Sequence, residues 1–189
     1  DAIVTQTTAD ANPPYDLKPE RDSYVEFGLA HTFHPGFSMY AEQARPYSLA
    51  AQRGHPVVLF FGYTHCPDAC PTTLAHLAQA VRLPNVARDV RVGFVTVDPA
   101  RDSAPLLGRY VRLFDPHFVG LTGSSAALRS VYSAYHVWRQ PVHDAGTGES
   151  YAVGHSTTIY YIGRDGSLRA FGRWDDDAAA IARALRELG

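Results

Sequence analysis

The chain has 189 residues, 46% of them hydrophobic and 19% charged, which allows one sizeable core and leaves little for a second domain. A net charge of -2 and the lack of any Lys/Arg run exclude a phosphate-tracking nucleic-acid binder. No apolar run approaches the roughly 20 residues that a membrane-spanning helix needs. The two cysteines, Cys66 and Cys70, are too few for a disulfide framework. Their closeness makes them a joint ligand pair or a redox couple.

Residues 1–35 are polar, contain prolines and show no periodicity, so they read as an N-terminal extension or linker. The first residue is Asp1, and a processed form is expected, with a signal or anchor segment ahead of it. A single domain is expected over 36–189. It opens with a hairpin, residues 36–40 and 46–49. Residues 57–63, VVLFFGY, form a continuous apolar run that suits a strand buried on both faces. From Pro71, Leu74, Leu77, Ala78 and Val81 recur at helical spacing. Pro67 and Pro71 suit a helix's first turns, where a missing N–H costs little.

Residues 90–97 alternate as a second strand that ends at Asp98-Pro99. Ser103 is placed to cap a helix that turns Leu106, Leu107, Tyr110, Val111 and Phe114 inward. A short strand at 118–121 follows, then a helix capped by Ser124 or Ser125 and carrying Leu128, Val131 and Tyr135. Residues 143–150 form a Gly-rich turn, 157–162 a strand, 164–167 a tight turn and 168–174 a strand. Asp175 is the expected cap of the last helix, with Ala179, Ile181, Ala182 and Leu185 on its apolar side. Strands alternating with helices imply a mixed, mostly parallel α/β sheet flanked by helices. A closing hairpin, a last helix and cysteines between the first long strand and the first helix make this the thioredoxin-like plan.

Cys66-Pro67-Asp68-Ala69-Cys70 is a C-x-x-x-C pair. On a helix, residues i and i+4 share a face, about 6 Å apart along the axis, so both sulfurs can reach one metal or each other. A helix N-terminus lowers thiol pKa, which makes both sulfurs available as thiolates. Soft thiolates favour copper(I) or zinc over hard ions. Nine histidines are candidates for the next ligand. In a thioredoxin plan the loop entering the closing hairpin lies beside the cysteines, and His155 occupies that place. The alternatives remain open: a metal-free redox couple, and a His155 that is only hydrogen-bonded at a strand edge. His31 and His34 have ligand-like spacing, but exposed loop histidines are the plainer reading. His65 is expected to point away from Cys66. Met39 is the only methionine, which leaves no Met-rich copper pathway and suggests a core residue.

Residues 60–74, FFGYTHCPDACPTTL, resemble the signature of the Sco (SenC) family. Asp98-Pro99-Ala100-Arg101-Asp102 resembles its DPxRD segment, Gly120-Leu121-Thr122-Gly123 its GLTG segment and His155-Ser156 its HS step. The resemblance covers about residues 47–175. It implies a thioredoxin-like fold held outside the cytoplasm, in the bacterial periplasm or on the outer face of the inner membrane, by an N-terminal anchor. It also implies one copper ion, Cu(I) or Cu(II), on Cys66, Cys70 and His155, and a metallochaperone role in assembling the dinuclear CuA site of cytochrome c oxidase. The implied partner is the oxidase's copper-site subunit, with other periplasmic copper chaperones or thiol reductases as further candidates. The family usually has Asp before the histidine, and here that residue is Gly154.

Three activities compete. The first is copper binding and delivery. The second is a thiol–disulfide oxidoreductase with Cys66 and Cys70 as its redox pair, keeping the oxidase cysteines reduced. The third, a peroxiredoxin-like peroxidase, fits less well, because such enzymes do not usually carry a second cysteine four residues on. Asp98, Arg101 and Asp102 are expected to order the loop beside the site, rather than to form a charged patch for a partner.

Overall fold

The computed structural model describes residues 39–40, 46–143 and 151–188. The extension at 1–35, with His31 and His34, and most of the Gly-rich turn (144–150) lie outside the described residues, as does the side chain of Met39. The opening hairpin is present as β1 (Met39–Tyr40) and β2 (Pro46–Tyr47), paired antiparallel.

Five strands form the central sheet: β3 (Val57–Gly62), β4 (Arg91–Thr96), β5 (Val119–Leu121), β8 (Ile159–Ile162) and β9 (Leu168–Gly172). Their order is β5-β4-β3-β8-β9, parallel from β3 to β5 and antiparallel through β8 and β9. Every residue of β3 is buried, as an all-apolar central strand covered on both faces must be. Alternation splits its side chains. Val58 and Phe60 join a core with Leu74 and Leu77 of α1 (Ala69–Ala80), Leu107 and Val111 of α2 (Ala104–Arg112), and Ile181 and Leu185 of α4 (Ala178–Arg186). Val57, Leu59 and Phe61 join the opposite core, with Leu128 and Val131 of α3 (Ser125–Ala134). This is the thioredoxin-like arrangement the sequence implies.

Ser103 and Ser124 cap α2 and α3, accepting from Leu106 N–H and Ala127 N–H. The cap of α4 is Asp177, not Asp175. The chain turns at Asp176, which accepts from Arg173 N–H, and Asp175 pairs with Arg173 instead. Ala179 therefore faces solvent, while Ile181, Ala182 and Leu185 are buried.

The sequence reading did not anticipate a further antiparallel ribbon, β6 (Arg139–His143) with β7 (Tyr151–His155). Strand β6 reads RQPVH, without apolar alternation and with a proline, so it gives no strand signal. His155 is thus the last residue of a strand rather than part of a loop. It still lies four residues ahead of β8, where the thioredoxin plan puts it.

Candidate metal centre

Cys66 and Cys70 sit where β3 ends and α1 begins, but they do not share the helix as expected. Helix α1 starts at Ala69, so Cys70 lies in its first turn and Cys66 in the preceding loop. The Cys66 sulfur works as a cap, accepting from Cys70 N–H at 3.4 Å, whereas the Asp68 side chain makes no cap bond. A free helical N–H thus meets a sulfur, which favours its thiolate form. Cys70 is fully buried and Cys66 partly so.

The sulfur of Cys70 stands 3.8 Å from His155 Nε2. The two sulfurs and one imidazole nitrogen all lie within 4.8 Å of one another. Three donors around one ion, with bonds of about 2.3 Å to sulfur and about 2.0 Å to nitrogen, stand about 3.7–4.0 Å apart. The separation seen therefore fits a shared ion with little movement. Among the described residues no fourth Cys, His, Asp or Glu joins the group.

His155 is 6% exposed and tightly oriented. Its Nδ1–H donates to the Ser156 carbonyl at 2.8 Å, which fixes the tautomer and leaves the Nε2 lone pair toward the sulfurs. Ser156 is itself clamped, donating N–H to the Trp138 carbonyl at 3.0 Å and accepting Trp138 N–H on its hydroxyl at 3.0 Å. A backbone carbonyl thus supplies the orienting contact that a neighbouring carboxylate would otherwise provide. At Gly154 a Cβ would stand 3.0 Å from the Trp138 ring, so the half-exposed indole fills the space a side chain there would take. The Tyr63 ring meets the imidazole edge-on at 5.7 Å.

The expectation of two thiolates needs correction. The hydrogen bond with Cys70 lowers the Cys66 pKa to about 4, and backbone N–H groups also lower it, against the effect of burial. The same bond, together with burial, pushes the Cys70 thiol well above its ordinary value. The metal-free pair therefore holds one proton, on Cys70. Alkylation of Cys66 by iodoacetamide in metal-free protein is expected to proceed at a nearly constant rate from pH 6 to 8, since its thiolate is already formed. A free thiol would gain close to tenfold per unit over that range. Mass spectrometry of the labelled cysteine decides between them, and Cys70 is expected to stay unlabelled.

The structural role expected for Asp98, Arg101 and Asp102 holds. Asp98 and Asp102 are each 1% exposed, so they form no surface patch. Asp102 accepts from the Thr64 hydroxyl at 2.6 Å, from Thr64 N–H and from the Thr96 hydroxyl at 2.8 Å, which anchors the cysteine loop. Asp98 pairs with Arg101 and accepts from the Tyr151 hydroxyl at 2.7 Å. His65 is exposed, bonds to Thr64 and does not join the Cys66–Cys70–His155 group. Sequence reasoning missed Tyr63, Thr64, Trp138, Tyr151 and Ser156 as supports. Of these, only Tyr63, Thr64 and Ser156 carried a signal, as members of the motifs already noted.

A thioredoxin-like fold with two cysteines and a histidine converging at its first helix defines a class, the dithiol proteins equipped to hold one soft metal ion. The SCO1/SenC family model matches residues 28–188, and the chain belongs to that family. It is 35% identical over 156 residues to the mitochondrial SCO2 homolog of Mus musculus, covering 79% of this chain and 60% of that one. The structure is similar to Bradyrhizobium japonicum ScoI with copper bound, at a TM-score of 0.72 and 31% identity over 80% of this chain and 96% of that one. It is also similar to Arabidopsis thaliana ScoI with copper bound, at a TM-score of 0.73 and 29% identity over 80% and 94% of the two chains. The chain spans 46% to 60% of the length of the mammalian relatives it matches.

Proposed function

We propose that this protein binds one copper ion through Cys66, Cys70 and His155 and delivers it to the copper-site subunit of cytochrome c oxidase during CuA assembly. The observation that carries the reading is the convergence of two sulfurs and a lone-pair-bearing Nε2 within 4.8 Å. Three soft or borderline donors with no fourth among the described residues suit three-coordinate copper(I), whereas structural zinc takes four. Three donors also leave an approach open for a fourth from an acceptor, as transfer by ligand exchange requires. Residues 36–189 are the copper-binding domain and 1–35 its linker in this reading. It works outside the cytoplasm, at the membrane that holds the oxidase. Membership of the SCO1/SenC family supports the oxidase assignment and this location. No helix among the described residues is long and apolar enough to cross a membrane.

Copper(I) titration in competition with a chelator tests the site. His155→Ala is expected to weaken binding beyond the about 10- to 100-fold that loss of an outer partner costs, while Cys66 and Cys70 still form a disulfide on oxidation. An affinity unchanged by that substitution would falsify the three-donor site.

The proton asymmetry of the pair favours a second reading, thiol–disulfide exchange. The Cys66 thiolate attacks one sulfur of a partner disulfide, forming a mixed disulfide and expelling the other sulfur as thiolate. Cys70 then loses its proton and attacks Cys66. The Cys66–Cys70 disulfide forms, the second partner thiol leaves, and two electrons have passed to the partner. Copper-free protein that rapidly reduces the disulfide of a CuA-site peptide, with a rate indifferent to His155→Ala, would favour this reading over delivery.

A further inference from the structure

We propose that the turn at 97–103, between β4 and α2, is a coupler that sets the sulfur-to-imidazole separation, with Asp98 and Arg101 positioning the histidine and Asp102 positioning the cysteines. This rests on the three-donor reading above and adds residues that touch none of the donors.

The two halves of the site reach this one turn from different directions. On the cysteine side, both oxygens of Asp102 hold Thr64, two residues before Cys66. On the histidine side, Arg101 Nη1 donates to the Tyr151 carbonyl at 2.9 Å, and its guanidinium lies 3.6 Å from the centre of the Tyr151 ring. Asp98 binds the guanidinium and the Tyr151 hydroxyl together. Tyr151 and His155 lie on the same strand face, since side chains alternate along β7. Val153, between them, donates N–H to the Tyr63 hydroxyl at 3.3 Å. The strand that ends in His155 is therefore pinned along its length.

The turn itself is tight. The Arg101 and Asp102 N–H groups both donate to the Asp98 carbonyl, at 3.2 Å and 2.9 Å. The two braces thus spring from one rigid turn, which fixes the distance between them. Buried carboxylates cost free energy that apolar packing would not. What they supply is direction, because each oxygen fixes the line as well as the length of its contact. Direction matters where two donors 85 residues apart must meet one ion.

Tyr151→Phe and Arg101→Lys test the histidine side, and Thr64→Val tests the cysteine side. Three quantities are measured on full-length protein: copper(I) affinity by chelator competition, the thiolate-to-copper(II) charge-transfer band, and the reduction potential of the metal-free Cys66–Cys70 couple. Tyr151→Phe is expected to lose about tenfold in copper affinity and to shift the band, with the potential unchanged, because the cysteine loop keeps its own brace. Thr64→Val is expected to move all three. Tyr151→Phe keeps the ring and removes only the hydroxyl, so it decides the matter if Arg101→Lys fails to fold. Wild-type affinity and band in Tyr151→Phe would overturn the coupler, as would a potential that shifts along with the affinity, which marks general loosening. If His155→Ala weakens copper binding and the brace variants do not, the coupler fails and the copper site stands. If His155→Ala has no effect either, the site itself fails.

Discussion

Asp102→Ala is expected to lower the unfolding free energy by about 3 kcal/mol, a large share of the stability of a domain this size. Asp102 is 1% exposed, and its carboxylate is the acceptor for the Thr64 hydroxyl, Thr64 N–H and Thr96 hydroxyl. Alanine removes charge-assisted hydrogen bonds and strands donors, among them the buried Thr96 hydroxyl, so the penalty exceeds that of an exposed hydrogen bond. Asp102→Asn keeps one oxygen acceptor and is expected to cost less than half as much. Denaturant midpoints at unchanged m-value measure both. Equal stability of Asp102→Ala and wild type would mean that the carboxylate does not hold the cysteine loop.

Gly62→Ala is the second substitution with a large expected effect. Gly62 ends β3 beside the Cys70 sulfur. A Cβ there would stand 2.6 Å from the Cys70 sulfur and 2.6 Å from the Phe94 ring. Both distances are well inside van der Waals contact, so both neighbours must move. Overpacking of this kind costs about 1–3 kcal/mol in a close-packed interior. Phe94 can tilt, but the Cys70 sulfur is fixed by its place in the first turn of α1, and its displacement carries it off the line to His155 Nε2. The expected result is a loss of copper affinity larger than the loss of stability accounts for. Gly62→Ala protein that binds copper like wild type would show that the backbone's close approach to the sulfur has no bearing on the site.

The proton held between the cysteines bears on both readings of function. Copper(I) on two thiolates requires Cys70 to lose a proton that burial and its neighbour's charge retain, so loading releases it and is favoured as pH rises. The same retained proton leaves Cys66 as the more accessible nucleophile and Cys70 as the buried second thiol, the division of labour that disulfide exchange uses. One arrangement therefore serves a metal ion or a disulfide, and the imidazole is the part that only the metal needs.

Much of the molecule was legible in consecutive residues. The apolar run 57–63, the C-x-x-x-C pair after it and the helical spacing of Leu74, Leu77 and Ala78 identified the strand–cysteine–helix junction, because backbone period and side-chain spacing are local properties. The softness of the two sulfurs followed from residue type, whereas His155 came from its expected place in the thioredoxin plan and from the family resemblance. Folding decided the rest, because the contacts that complete the site join residues far apart in the chain. Thr64 meets Asp102 across 38 residues and Cys70 meets His155 across 85. Strand β6 carries no apolar alternation. The β6–β7 ribbon is held by Val153 in the core and by bonds such as Arg139 to the Val97 carbonyl and Val153 to Tyr63. The tautomer of His155, the indole filling the space at Gly154 and the unequal protonation of Cys66 and Cys70 all depend on which atoms come within bonding distance. Only the packed tertiary structure sets those distances.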